Sequence, residues 1–501
     1  MPIKRSFQQY MSTQAGNQED KPLVIIIAGP TAVGKSSISA KLCEKDFASK
    51  LISEHAKNNH KCKPTTDAIG HIISADSVQV YRGVQIGANK PTKKEREATP
   101  HHLIDIVDSK SVCQYNAADW MRDTMQVLER LTNSNSESDD EDLLDEESKQ
   151  RKNRIEQFLS ENKEEELEIL PVIVGGTMMY LQWLVHGRPD AMKPTEEALK
   201  KAASIVSEFE EKDEDAGWKE AVEYTSSLGP LFAKRVEKLP GRDWYRLRRT
   251  LEVAYTVLDD EDKEEKIKQL FSGARQGGLE ESSMYDVRCF FLCPDDRMNH
   301  TAIVDSRCEE MLANGLLKET TDLYLSGQLP DGSQHARAIG YRQTLDYLQR
   351  EGFKEKDDEA FGEYLDEFTT ATRRYAKKQM QWFRKDEQFI FVPVPLLETS
   401  EARKEIVADK IRELCTLPRN EFENELQPLP PLDPKKKKRS NDELDDSSLP
   451  ISVKTRLANE IQGKNMKFYQ SRRHKLEIGS EEYTKVLEEA DVCTQKMMQR
   501  C

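Results

Sequence analysis

The chain has 501 residues, room for two or three domains, with 33% charged and 37% hydrophobic residues and a formal net charge of −15. No uninterrupted apolar run approaches the length of a membrane-spanning helix, so no membrane partner is expected. The nine cysteines are scattered with no C-x-x-C pair, which argues against a disulfide framework or a Cys-rich zinc site and for reduced, intracellular thiols.

Residues 1–20 read as a flexible leader. Lys4 and Arg5 precede the first acid, Glu19, so a weak mitochondrial presequence and a plain disordered leader are equal readings; a start at Met11 would remove both basic residues. Leu23 to Ala28 is a continuous apolar run, the pattern of a parallel strand buried on both faces. It feeds Gly29-Pro30-Thr31-Ala32-Val33-Gly34-Lys35-Ser36, which fits G-x-x-x-x-G-K-[ST] and opens a helix near Lys35. Strand, glycine loop and helix make a phosphate cradle. Backbone N–H groups and the helix N-terminus supply partial positive charge, Lys35 a full one, and Ser36 is placed to hold a magnesium ion.

The polar stretch 44–70 reads as a loop insertion. A second strand, His71–Ala75, ends on Asp76. At the carboxyl end of a parallel strand such an acid lies near the cradle, where it can ligate magnesium through water or act as a general base. The competing reading is an Asp that merely caps the next helix. Ala117–Leu131 has helical periodicity. The acidic, Ser-rich stretch at about 133–168 has none and reads as disordered. A third strand, Leu170–Val174, runs into Gly175-Gly176-Thr177, where paired glycines admit a ligand to the backbone; it lacks the terminal acid of many ATPases.

Residues 187–283 lose the strand signal and read as a helical insertion between two parts of one α/β core, 21–186 and 284–395. Arg242 to Arg249, interleaved with Trp244 and Tyr245, suits RNA phosphates and unstacked bases; pairing with nearby acids is the bland alternative. A fourth strand, Val287–Leu292, is followed by helices at 298–325, 336–348 and 363–384 and a last short strand at 390–392. Residues 396–501 read as a largely disordered Pro- and charge-rich tail. Lys435 to Arg439 there is either a nuclear-localisation patch or a solvated charge run.

Together these segments resemble one family, the tRNA dimethylallyltransferases, also called tRNA isopentenyltransferases. The resemblance is carried by Gly29–Ser36, Ile73–Gly83 (ISADSVQVYRG), Ile86–Pro91, Pro100–Asp108, Tyr115–Trp120, Val174–Tyr180 (VGGTMMY), Arg246–Val253, Ala338–Gln343 and Tyr375–Arg384 (YAKKQMQWFR), in the family's order and over most of 24–391. It implies a P-loop parallel-sheet core and transfer of a dimethylallyl group from its diphosphate to N6 of the adenosine 3′ of a tRNA anticodon. The loop 29–36 would then hold the diphosphate, with Mg2+ as cofactor. Asp76 would act on the amine, and Thr31 (or Ser36) and Arg297 on the leaving group, with Arg307 as a second arginine candidate. Ser77, Val78, Gln79, Thr177, Tyr245, Arg246, Leu247, Arg248, Arg249, Arg337, Gly340, Tyr341 and Arg342 match family positions at the tRNA. A monomer is expected, cytoplasmic with mitochondrial and nuclear pools.

One departure stands out. Eukaryotic members commonly end in a two-Cys, two-His zinc finger. Here Ser471 to Lys475 keeps its ending, but the Cys positions fall near Ile451 and Lys454, so a metal-free module is expected at about 451–475. The rival functions are a P-loop small-molecule kinase, a prenyltransferase acting on free adenine nucleotides, and a binding-only scaffold. The basic surfaces argue against the first two.

Overall fold

The computed structural model describes residues 21–59, 67–110, 115–132, 146–162, 167–189, 194–212, 214–239, 241–257, 266, 275–280, 282, 284–350, 357–430, 439, 441–444 and 448–499. The leader and residues 435–438 of the basic patch lie outside them. The chain divides into two compact units, 1–181 with 283–501, and 182–282; the sequence reading drew the insertion at 187–283.

In the first unit the strands are β1 (Leu23–Ala28), β2 (Ala68–Ala75), β3 (His101–His102) and β4 (Glu168–Gly175); β5 (Arg188–Pro189) and β6 (Arg275–Gln276) belong to the second; β7 (Asp286–Pro294) and β8 (Phe389–Val394) return to the first. Six of them form one parallel sheet in the order β3-β2-β4-β1-β7-β8. β1 lies near its middle with all six residues buried, as its unbroken apolar run requires. The four expected strands and the last short one are all present. β3 is two residues long and gave no run to detect.

The helices are α1 (Lys35–Cys43), α2 (Lys45–Asn58), α3 (Lys93–Ala98), α4 (Ala117–Thr132), α5 (Glu146–Glu161), α6 (Met178–His186), α7 (Glu196–Glu210), α8 (Glu214–Ser227), α9 (Pro230–Val236), α10 (Trp244–Val257), α11 (Arg297–Ala313), α12 (Leu316–Leu325), α13 (Tyr341–Gln349), α14 (Asp358–Phe383), α15 (Ser400–Thr416), α16 (Arg419–Asn424), α17 (Ile451–Gln462) and α18 (Glu481–Met498). The second unit is built from α7 to α10 and the β5–β6 pair. Its core gathers Ala202, Val206, Ala221, Leu247 and Leu251, with Trp218 and Trp244 meeting edge to face at 5.1 Å.

Three expectations are corrected. The supposed loop 44–70 contains α2, whose Ala48, Leu51, Ile52 and Ala56 form a buried stripe at helical spacing that its many charges obscured. The stretch at about 133–168, read as disordered, contains α5 from Glu146 onward. It packs on α4 through buried Ile155 and an Arg151–Asp123 pair at 3.3 Å; residues 133–145 lie outside the description.

The tail is likewise folded rather than largely disordered. Val407, Ala408, Ile411, Leu414 and Cys415 of α15 join the same core as β1 and β8. α17 occupies the place of the missing Cys pair: Ser452 Oγ accepts from Phe391 N at 2.9 Å, and buried Arg456 donates to the carbonyls of Asp386 and Phe389. Beyond it, 469–476 lies along α11. Asp305 accepts from Tyr469 and Ser471, and Glu309 accepts from the main-chain N–H groups of His474, Lys475 and Leu476 at 2.6–2.9 Å.

Candidate functional site

The site lies at the carboxyl ends of β1, β2 and β4, where a parallel sheet exposes unpaired backbone and the following helices point their N-termini. From β1 the chain enters the loop 29–36. Gly34 caps α1 with φ +99, the left-handed conformation that suits glycine. Lys35 curls back, and its ammonium donates to the carbonyls of Gly29 and Pro30 at 2.9 and 2.8 Å. Burial, helped by the Arg307 charge and opposed by Asp76, pushes the lysine down to about 7. Ser36 is exposed at the start of α1.

From β2 comes Asp76. Its Oδ1 accepts from the main-chain N–H groups of Val78 and Gln79 at 2.8 and 3.3 Å, which closes a turn rather than capping a helix, since residues 77–80 are a turn and the next helix begins only at Lys93. The same carboxylate also acts electrostatically on Lys35, Arg307, Tyr180 and Tyr375, so it lies among the charged groups of the site. From β4 comes Thr177, whose hydroxyl accepts from Ser77 N at 3.1 Å and ties the ends of β2 and β4 together. Gln79 is held inward: Ser74 donates to its carbonyl oxygen, and its amide donates to Ala88 O and Asn89 O.

The two arginine candidates separate. Arg297, at the start of α11, donates to Asn459 O in α17 at 3.5 Å, and its main-chain N–H is accepted by Gln462 at 3.0 Å. Its side chain lies toward the C-terminal helix, and its buried Nε has no hydrogen-bond partner among the described residues. Arg307, three turns on, is within electrostatic reach of Lys35 and Asp76, and burial lowers its basicity. Among the described residues no hydrogen bond or ion pair engages its guanidinium.

Three further residues expected at the tRNA are buried. Tyr341 is fully buried, its phenol donating to Glu319 at 2.6 Å, so it cannot touch RNA. Gly340 beside it is buried at the start of α13, while Arg337 and Arg342 are exposed. In the second unit Leu247 is buried in the helical core. Tyr245 is 73% exposed on the same helix. Arg246 pairs with Asp243, and Arg248 and Arg249 both pair with the buried carboxylate of Glu252.

The model of the IPP transferase family matches residues 79–137 and 143–386. The chain belongs to that family. It is 30% identical over 391 residues to "tRNA dimethylallyltransferase 9" of Arabidopsis thaliana, covering 73% of this chain and 70% of that one. It is 30% identical over 381 residues to the tRNA dimethylallyltransferase of Protochlamydia amoebophila, covering 76% and 86%. A solved eukaryotic dimethylallyltransferase acting on tRNA is 24% identical, with a TM-score of 0.47, over 77% of this chain and 78% of that one.

In this IPP transferase, three residues that sequence reasoning did not assign complete the site. Gln379 and Tyr375, one turn apart on α14, both donate to Gly176 O, at 2.9 and 3.2 Å. Gln379 Oε1 also accepts from Thr31 N at 2.9 Å. His300 of α11 meets Thr31 O through Nε2 at 2.9 Å. The first two lie inside the motif Tyr375–Arg384, where their i, i+4 spacing was the available signal. A single histidine in a helix gave none.

Proposed function

We propose that this IPP transferase moves a dimethylallyl group from its diphosphate to N6 of an adenosine in the anticodon loop of tRNA, and releases diphosphate. The observation that carries this reading is the grouping of Asp76, Lys35 and Arg307, within electrostatic reach of one another, at the carboxyl end of the parallel sheet: an acceptor beside two basic groups.

The donor's diphosphate sits in the loop 29–36, held by main-chain N–H groups and the N-terminus of α1. As the allylic C–O bond breaks, charge grows on the departing oxygen. Lys35, the Thr31 hydroxyl and Arg307 oppose it from a preorganised, partly desolvated position. The adenine amine is a weak nucleophile because its lone pair is delocalised. Asp76 orients it and accepts its proton as the N–C bond forms. The base leaves its stack to reach this edge.

Magnesium suits the donor set. Mg2+ takes oxygen ligands and is commonly held by one or two protein oxygens plus substrate phosphates. The exposed Ser36 hydroxyl and the Asp76 carboxylate, the latter through water, would hold it. When bound it neutralises diphosphate charge.

The test is direct. Purified protein with anticodon stem-loop RNA, dimethylallyl diphosphate and Mg2+ is expected to yield N6-dimethylallyladenosine by mass spectrometry. Asp76→Ala is expected to keep RNA binding and lose transfer. Transfer of a phosphoryl group from ATP, with no prenylation, would refute the reading in favour of a kinase.

A further inference from the structure

The Thr31 peptide is gripped from both sides. Gln379 Oε1 accepts its N–H and His300 meets its C=O, each at 2.9 Å, from two different helices. Both side chains are 1% exposed. The donors and acceptors are unambiguous. A peptide N–H only donates, so the Gln379 oxygen faces Thr31 and its amide faces the Gly176 carbonyl. A carbonyl only accepts, so His300 presents a protonated Nε2. Burial keeps this imidazole neutral, pushed down to about 4. Space agrees with bonding: a Cβ at Gly176 would fall 2.2 Å from the Gln379 amide, so the glycine is what lets this side chain lie across the strand end.

We propose that Gln379 and His300 are positioning residues for the transfer reaction, which clamp the Thr31 peptide and so aim its hydroxyl at the diphosphate leaving group. The inference rests on the reading above. A loop between β1 and α1 has backbone freedom, and Ala32 already holds φ +64, uncommon for a residue with a side chain. Preorganised donors act only if they do not have to reorient when charge develops, and misplacement by about 1 Å can cost on the order of 100-fold in rate. Gln379 further joins the loop after β1 to Gly176 after β4, next to the Thr177 that ties β4 to the Asp76 turn. Leaving-group and base sides of the site are thereby fixed to one another.

The experiment uses the full chain and the variants Gln379→Met, His300→Leu, His300→Gln and Thr31→Val, with melting temperatures recorded for each. Gln379→Met and His300→Leu are expected to lower kcat about 10- to 100-fold with the KM for tRNA unchanged. His300→Gln, whose amide can still donate to Thr31 O, is expected to retain most of kcat. Adding Gln379→Met to Thr31→Val is expected to cost nothing further, because the clamp acts through that hydroxyl. Folded variants with full kcat, losses confined to the tRNA KM, or multiplying losses in the double variant would overturn the proposal. Should Gln379→Met not fold, His300→Leu and His300→Gln decide from the carbonyl side. Titration with inorganic diphosphate separates the two claims. A wild-type chain that transfers nothing defeats the function, whereas equal diphosphate affinity in wild type and Gln379→Met defeats the clamp.

Discussion

Tyr341 donates its phenol to Glu319 at 2.6 Å, and the same carboxylate accepts main-chain N–H groups from Ile86 and Gly87 at 2.8 and 3.1 Å. An aromatic residue in a basic motif therefore fastens the segment 85–87 to α12 and α13. Replacement by Phe keeps the ring and deletes one bond to a charged acceptor, worth ~1–3 kcal/mol. Tyr341→Phe is expected to lower the denaturation midpoint while leaving RNA affinity at the wild-type value. A selective loss of RNA affinity without destabilisation would contradict the buried role.

On the proposed function, Lys35 makes diphosphate binding depend on pH in a definite direction. The unliganded lysine sits at about 7, lowered chiefly by burial. A bound polyanion favours its charged form and raises it toward its ordinary value. Affinity is expected to be level below pH 7 and to weaken as pH rises above it, by up to about tenfold per pH unit, with proton uptake on binding. Calorimetry in buffers of different ionisation enthalpy measures that uptake. Lys35→Arg, which cannot deprotonate, is expected to flatten the profile.

Acid is expected to destabilise the first unit through two buried histidines. His71 and His102 are buried, stacked at 5.2 Å and joined Nδ1 to Nε2 at 3.0 Å. Burial pushes His71 down to about 4 and His102 well below its usual range. Unfolding raises both to ordinary values, so between pH 6.5 and 4 the unfolded chain binds the extra protons. Stability falls there with decreasing pH by up to about 1.4 kcal/mol per unit for each such histidine. Urea midpoints recorded from pH 7.5 to 4.5 check this. An unchanged midpoint would be incompatible with these buried neutral rings.

Neighbours on α10 should behave oppositely. Leu247→Ala opens a hole among Ala202, Val206 and Leu251 and is expected to cost ~2–5 kcal/mol in the second unit. Tyr245→Ala, at 73% exposure, is expected to leave stability unchanged and to weaken RNA binding by ~1–3 kcal/mol as a stacking platform is lost. Thermal melts and RNA titrations separate the two.

The sheet was legible because parallel strands buried on both faces leave unbroken apolar runs, as at β1. The strand–loop–helix geometry at 29–36 and the strand-end position of Asp76 were legible because their signals are local: glycines, a lysine and a strand-end acid within a few residues. What escaped reading was tertiary. Gln379 reaches Thr31 across 348 residues, and no local pattern announces such a bond. Arg297 and Arg307 stand on one helix ten residues apart, and only tertiary packing tells which lies toward α17. Tyr341 and Leu247 were assigned to RNA because motif position says nothing about which helix face is inward. Charge density hid α2, α5 and α15, whose apolar stripes are narrow and set among lysines and glutamates.

Glu309 sits two residues from Arg307 on α11 and is 1% exposed, its charge satisfied by three successive amide groups of 474–476. Peeling that short ribbon away would strand an anion inside the protein, on the very turn that carries Arg307, the cation proposed for the leaving group. Damage at the far end of the polypeptide would then register first as a slower reaction.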